Sequence, residues 1–218
     1  KNKRAWLVVD PPDGRIPRRT DIQPRRPRGG ISTNANPKGP FNSWLDMGLY
    51  DRCITRGIPA SMMPAGYGSR YDITQSPDSV VIRYEMIHET RVIPLDRRPH
   101  VGASLAFDMG NARGRWEGDT LVIDTIGYND KFWMDSRGTP HTEQMHTIER
   151  WTRTSYGTMT NDFTLDDPGA FSRPVQLKFA AKVLPPGEDL MEFICTENNQ
   201  YGVAAGIGSQ PRDRCICN

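Results

Sequence analysis

Arg113-Gly-Arg-Trp-Glu-Gly-Asp-Thr-Leu-Val-Ile-Asp-Thr-Ile126 decides the fold. Two runs rich in β-formers meet at Glu117-Gly-Asp119, a tight turn with glycine at its centre, which reads as an antiparallel hairpin. The same grammar recurs downstream. Thr147–Thr154 and Thr158–Asp166 read as a second hairpin around Ser155-Tyr-Gly157, and Gln176–Leu184 with Leu190–Thr196 as a third around Pro185-Pro-Gly187. Upstream, Ser79–Pro94 alternates with period two: Val80, Ile82, Tyr84, Met86 and His88 share one face, Arg83, Glu85 and Glu89 the other. The expected fold is therefore mainly β, an antiparallel meander of about seven strands. Such a meander most simply curls into a barrel or a strongly bent sheet, which removes its unpaired edges.

The rest of the chain is less regular. Hydrophobic residues make up 36% of 218, with 20 glycines and 18 prolines, so many turns surround a modest core. Residues 1–40 hold ten Lys/Arg against Asp10, Asp13 and Asp21, a net charge of +7, while residues 41–218 carry 18 basic and 23 acidic groups, a net of −5. After a short apolar strand, Ala5–Val9, this first segment is dense in proline and glycine and reads as an extended arm. A cationic arm on an acidic body is built to meet something acidic: its own body, another protein or an anionic membrane surface. Nucleic acid fits poorly, because Trp6 is the arm's lone aromatic and no stacking pattern accompanies it. Residues 41–218 are expected to form one β-rich domain, opening with a helical turn or two in Phe41-Asn-Ser-Trp-Leu-Asp-Met-Gly-Leu-Tyr50. No run of eighteen apolar residues offers a transmembrane segment. The first residue is Lys1, consistent with a processed or trimmed start.

Cys53, Cys195, Cys215 and Cys217 are even in number and lack the Cys-x2-Cys spacing of a zinc site. They are expected to form disulfides in an oxidising compartment, with connectivity open. No cofactor and no metal is implied.

Four stretches carry a resemblance: Val9-Asp-Pro-Pro-Asp-Gly-Arg-Ile-Pro17, Asp51-Arg-Cys-Ile-Thr-Arg-Gly57, Gly114-Arg-Trp-Glu-Gly-Asp-Thr-Leu-Val-Ile-Asp-Thr125 and Pro140-His-Thr-Glu-Gln-Met-His-Thr-Ile-Glu-Arg150. Together they resemble a family of uncharacterised bacterial secreted proteins with a lipocalin-type, calycin-like β-barrel, over about residues 6–203. The resemblance implies a barrel and a periplasmic or secreted location, and no activity. The chain departs from the family pattern in lacking the Gly-x-Trp opening strand, in its Arg- and Pro-rich residues 18–40, and in its Cys-Ile-Cys tail.

Candidate chemistry centres on histidine. His141 and His146, with Asp135 and Glu143 near in sequence, could supply a general acid and base, since imidazole and carboxylate together suit proton transfer. The spacing is not His-Glu-x-x-His, and the simpler reading is a set of hydrogen-bonded residues shaping a loop. His88, on the apolar face beside Tyr84, would line a barrel cavity together with Trp133. Three classes of function are open: an interaction or scaffold subunit of an envelope assembly, a small-molecule-binding barrel, and a hydrolase or lyase using His141, His146 and Asp135. The sequence favours the first. Arg15, Arg18, Arg19, Arg25, Arg26 and Arg28 would pair with acidic groups of the partner, while Trp6 and the Ala5–Val9 strand anchor by burial or strand addition.

Overall fold

The computed structural model describes residues 7–22, 53–64, 68–102, 104–132, 134 and 139–194, and structural statements below concern these. Their strands are β1 (Val8–Asp10), β2 (Tyr71–Gln75), β3 (Ser79–Tyr84), β4 (Thr90–Pro94), β5 (Asn111–Glu117), β6 (Thr120–Ile126), β7 (His146–Ser155), β8 (Thr158–Asp166) and β9 (Val175–Lys182). Every pairing is antiparallel. The larger sheet runs β1-β9-β8-β7-β6-β5 and the smaller runs β2-β3-β4.

Two of the three expected hairpins form. β5 and β6 pair Gly114 with Ile123 and Trp116 with Leu121, across a turn in which Gly118 takes φ 58°. That left-handed backbone is what glycine supplies at little cost. β7 and β8 pair Glu149 with Phe163 and Trp151 with Asn161. Alternation then gives the larger sheet one buried face, with Leu121, Ile123, Trp151, Phe163, Leu165, Val175, Leu177 and Phe179 all nearly inaccessible. Val80, Ile82 and Tyr84 of β3 and Ile93 of β4 belong to the same core. Tyr71 meets Trp151 edge to face at 5.7 Å between ring centres, tying the small sheet to the large one.

The sheets do not close into a barrel, contrary to expectation. β1 and β5 end the larger sheet and do not pair with each other. The apolar face is covered instead by the second layer, which removes the need for closure. β4 and the residue after it pack on β5 at Gly114, where a Cβ would lie 2.8 Å from Ile93 Cγ2 and 2.7 Å from Leu95 Cδ2. No ladder joins the two strands there.

The third hairpin is also corrected. Residues 190–194 hold no strand, and β9 pairs with β1 instead, Val8 opposite Leu177. Beyond Pro185 the chain leaves for the small sheet. Arg70 binds Glu188 at 3.1 Å, and the Met191 N–H donates to Glu85 Oε1 at 2.8 Å. These tertiary partners draw the segment away from β9.

The single long strand expected over Ser79–Pro94 is two strands. β3 stops at Tyr84, a short 3-10 turn spans Met86–His88, and Ile87 and His88 both take positive φ, 60° and 53°. The Tyr84 N–H donates to the Glu89 carbonyl at 2.8 Å and closes the turn. The reversal shifts the parity of β4. Arg91 and Ile93 face inward, whereas His88, expected on the buried side, is exposed.

The described part of the N-terminal segment lies along its own body. Besides the β1–β9 pairing, the Arg19 N–H donates to the Ala170 carbonyl at 3.0 Å and the Ser172 N–H to the Pro17 carbonyl at 3.0 Å. Arg173 binds Asp10 at 3.0 Å. Residues 23–52 lie outside the described residues, and with them the expected domain boundary at residue 40 and the helical turn over 41–50.

Candidate functional site

A groove of about 560 Å³ runs beside this segment, lined among others by Asp13, Arg15, Ile16, Arg18 and Arg19. The three arginines differ. Arg19 is held by Asp21 through two hydrogen bonds of 3.1 and 2.7 Å and donates a third to the Pro168 carbonyl at 3.1 Å. The hydrogen bond and charge of Asp21 push the Arg19 guanidinium up, while the Arg19 hydrogen bond holds Asp21 below the usual carboxylate range. Arg15 and Arg18 are exposed and have no acidic partner among the described residues. Their forked, permanently charged donors suit a carboxylate in two-point geometry. Trp6, Arg25, Arg26 and Arg28, expected to extend this surface, lie outside the described residues.

The histidines sort differently from expectation. His141 is buried, its Nε2 donating to the Phe132 carbonyl at 2.7 Å and its ring stacked on Phe132 at 4.0 Å between centres. That is a structural environment. His146, at the start of β7, points to the opposite, outer face of the larger sheet. There its Nε2 lies 3.1 Å from Asp124 Oδ1, and His100 Nε2 approaches the same oxygen at 3.2 Å. Asn111 Oδ1 accepts from the Val101 N–H and meets His100 Nδ1, both at 3.2 Å. Asp124 of β6 is thus shared by one imidazole from β7 and one from the β4–β5 crossover. Glu143 is exposed, and Asp135 lies outside the described residues, so neither joins them. A carboxylate orienting two imidazoles is a usable proton-transfer arrangement. Among the described residues no three His, Cys, Asp or Glu are disposed to hold a metal ion.

Tyr84 and His88 were expected in one ligand pocket. Tyr84 is fully buried, its hydroxyl accepting from Arg91 at 3.3 Å, and burial pushes its phenol upward. His88 is on the surface, edge-on to Phe193 at 6.1 Å. Trp133 lies outside the described residues.

Between the sheets sits an ion pair that sequence reasoning missed. Arg91 of β4 and Glu149 of β7 are 3% and 0% exposed and meet at 2.8 Å. Glu149 Oε2 also accepts from Trp151 Nε1 at 3.0 Å and Asn161 Nδ2 at 3.1 Å. Burial pushes the Arg91 guanidinium down, but Glu149 and the neighbouring tyrosines push it up by more, so the net shift is upward. Burial also lifts Tyr71 to about 12, with Glu149 adding to it. The available signal was Glu149 itself, a charge at the inward position between Thr147 and Trp151 of an alternating strand. With both charges consumed by each other, this pair organises the core.

Of the cysteines, only Cys53 is among the described residues, so the expected pairing with Cys195, Cys215 or Cys217 is not described. No helix among them is long and apolar enough to cross a membrane. No family model, curated protein or solved structure matches the chain.

Proposed function

We propose that the protein is a non-catalytic interaction or scaffold subunit of a larger extracytoplasmic assembly, docking through the cationic groove of its N-terminal segment onto an acidic protein surface. One observation carries this reading: Arg15 and Arg18 line the groove without acidic partners among the described residues, while Arg19 beside them is satisfied by Asp21. An unpaired guanidinium at a groove gains a charge-assisted, bidentate contact on docking and gives up few contacts of its own. The resemblance of the four quoted stretches to a family of secreted bacterial proteins and the even number of cysteines support the extracytoplasmic setting.

The test is charge reversal, R15E/R18E, in the full chain. In size-exclusion chromatography of a native extract, the wild-type chain is expected in a high-mass fraction at moderate salt and the variant at its own mass. Neither side chain has a bonding partner among the described residues, so the variant's folding free energy should stay within about 0.5 kcal/mol of wild type. Unchanged co-elution of the variant contradicts the reading.

The hydrolase or lyase alternative now rests on His146 with Asp124 and His100 rather than on His141 and Asp135. It is favoured only by the 3.1 and 3.2 Å contacts to one carboxylate oxygen. The small-molecule alternative loses two of its three expected cavity residues, since Tyr84 is packed in the core and His88 is outside it, while Trp133 lies outside the described residues.

A further inference from the structure

We propose that the end of the larger sheet bearing the β5–β6 and β7–β8 turns docks on an anionic lipid surface. Antiparallel order gathers five strand termini at this end. Glu117 pairs with Thr120, Thr120 with Thr152, Ser155 with Thr158 and Thr158 with Lys182. The Val183 N–H then donates to the Gly157 carbonyl at 3.0 Å.

Large apolar side chains are left uncovered here. Trp116 is 46% exposed, Tyr156 89%, Val183 47% and Leu184 39%. Trp116 continues the inward row of Ala112 and Gly114, and Val183 that of Val175, Leu177 and Phe179, so the sheet runs on past its cover. A Cβ added at Gly118, Gly157 or Gly187 would meet nothing within 4 Å, so the turns at this end stand clear of the rest of the chain.

The charges point to one kind of occupant. Arg115, Arg150, Arg153, Lys178 and Lys182 outnumber Glu117, Asp119 and Asp162 at this end, an excess of basic groups on a body whose net charge is negative. Glu117 is shared by Arg115 at 2.8 Å and Arg150 at 2.7 Å, which leaves that trio cationic. Arg153 donates to the Tyr156 carbonyl at 2.6 Å and stacks over the Tyr156 ring at 5.2 Å, with no carboxylate among the described residues. The stack holds Tyr156 in place at the tip. Trp and Tyr tips ringed by Arg and Lys match the layered chemistry of a bilayer boundary, where amphipathic rings sit at headgroup level and basic groups meet anionic lipid.

The experiment is co-sedimentation of the full chain with vesicles of phosphatidylcholine, with and without phosphatidylglycerol. Binding is expected to the anionic vesicles only and to weaken with salt. R153E/K182E should lower the partition coefficient about tenfold or more, given the attraction of each basic group to an anionic surface. Y156S alone, at a site too exposed to unfold the chain, should lower it severalfold. R15E/R18E should bind like wild type, which separates this surface from the protein-docking groove. Binding to neither vesicle, equal binding to both, or loss in R15E/R18E but not in R153E/K182E would overturn the proposal. So would a dimer that Y156S dissociates, since this end would then belong to a second copy.

Discussion

Arg91 and Glu149 concentrate the energetic risk of the fold at two side chains. Each is stable in the interior only because the other is there, so removing one charge costs more than the pair contributes. E149Q keeps an oxygen for Trp151 and Asn161 yet strands the guanidinium, and is expected to destabilise the protein by about 3–5 kcal/mol in urea denaturation. R91M/E149Q should recover more than half of that loss. A double variant no better than E149Q would show that the polar network, and not the stranded charge, sets the cost. Glu89 gives a pH signature. Burial pushes its carboxyl up, against the pull of the Thr55 and Ser61 hydroxyls, from an ordinary value of 4.5. A raised folded value means that the native state binds the proton more tightly than the unfolded chain does. Its contribution is therefore fully present below about 4.5 and is lost as pH rises through the folded value. Melting curves across that window should show E89Q gaining on wild type as pH rises. A pH-independent difference would contradict the assignment. His146 was recognisable in the sequence as a reactive candidate. Its partners were not, because Asp124 and His100 come from a different strand and from a crossover whose path no local pattern encodes.

Strand pairing shows the same divide between local and distant information. β5–β6 and β7–β8 were legible because both partners are contiguous in sequence and joined by turns that glycine permits. The β3–β4 turn was hidden because Met86 and His88 continue the apolar alternation across a break that depends on the backbone of Ile87 and His88. Pro185-Pro-Gly187 signals a turn whether the chain returns to β9 or departs. Arg70 and Glu85 decide that it departs, and the vacated edge of β9 is taken by β1 from the far end of the chain. This makes β1 part of the body, and V8D tests it. Val8 is 7% exposed opposite Leu177, so an aspartate there would be an unpaired buried charge costing about 3 kcal/mol. A free arm would tolerate V8D without change in the denaturation midpoint. Gly57 makes a second demand, with φ 66° and Phe132 Cδ2 only 2.1 Å from where a Cβ would stand. G57A should cost about 2 kcal/mol or more, through backbone strain and displacement of that ring.

At the largest scale the described residues form two antiparallel layers with a packed interior, so what they offer to others lies on their surfaces. Composition already separated a cationic first segment from an acidic body. It could not show that residues 7–19 are bound along β9 and the loop that precedes it, nor that Asp21 neutralises Arg19 and leaves Arg15 and Arg18 facing the groove. On the proposed reading this groove is where a partner's carboxylates settle, and the outer-face histidines are a secondary feature. The most direct test of that reading is the elution of R15E/R18E from a native extract at moderate salt, beside wild type and with melting temperatures matched. The account predicts that wild type travels in a high-mass complex and the variant travels alone, still folded. A folded variant that stays in the complex would contradict it.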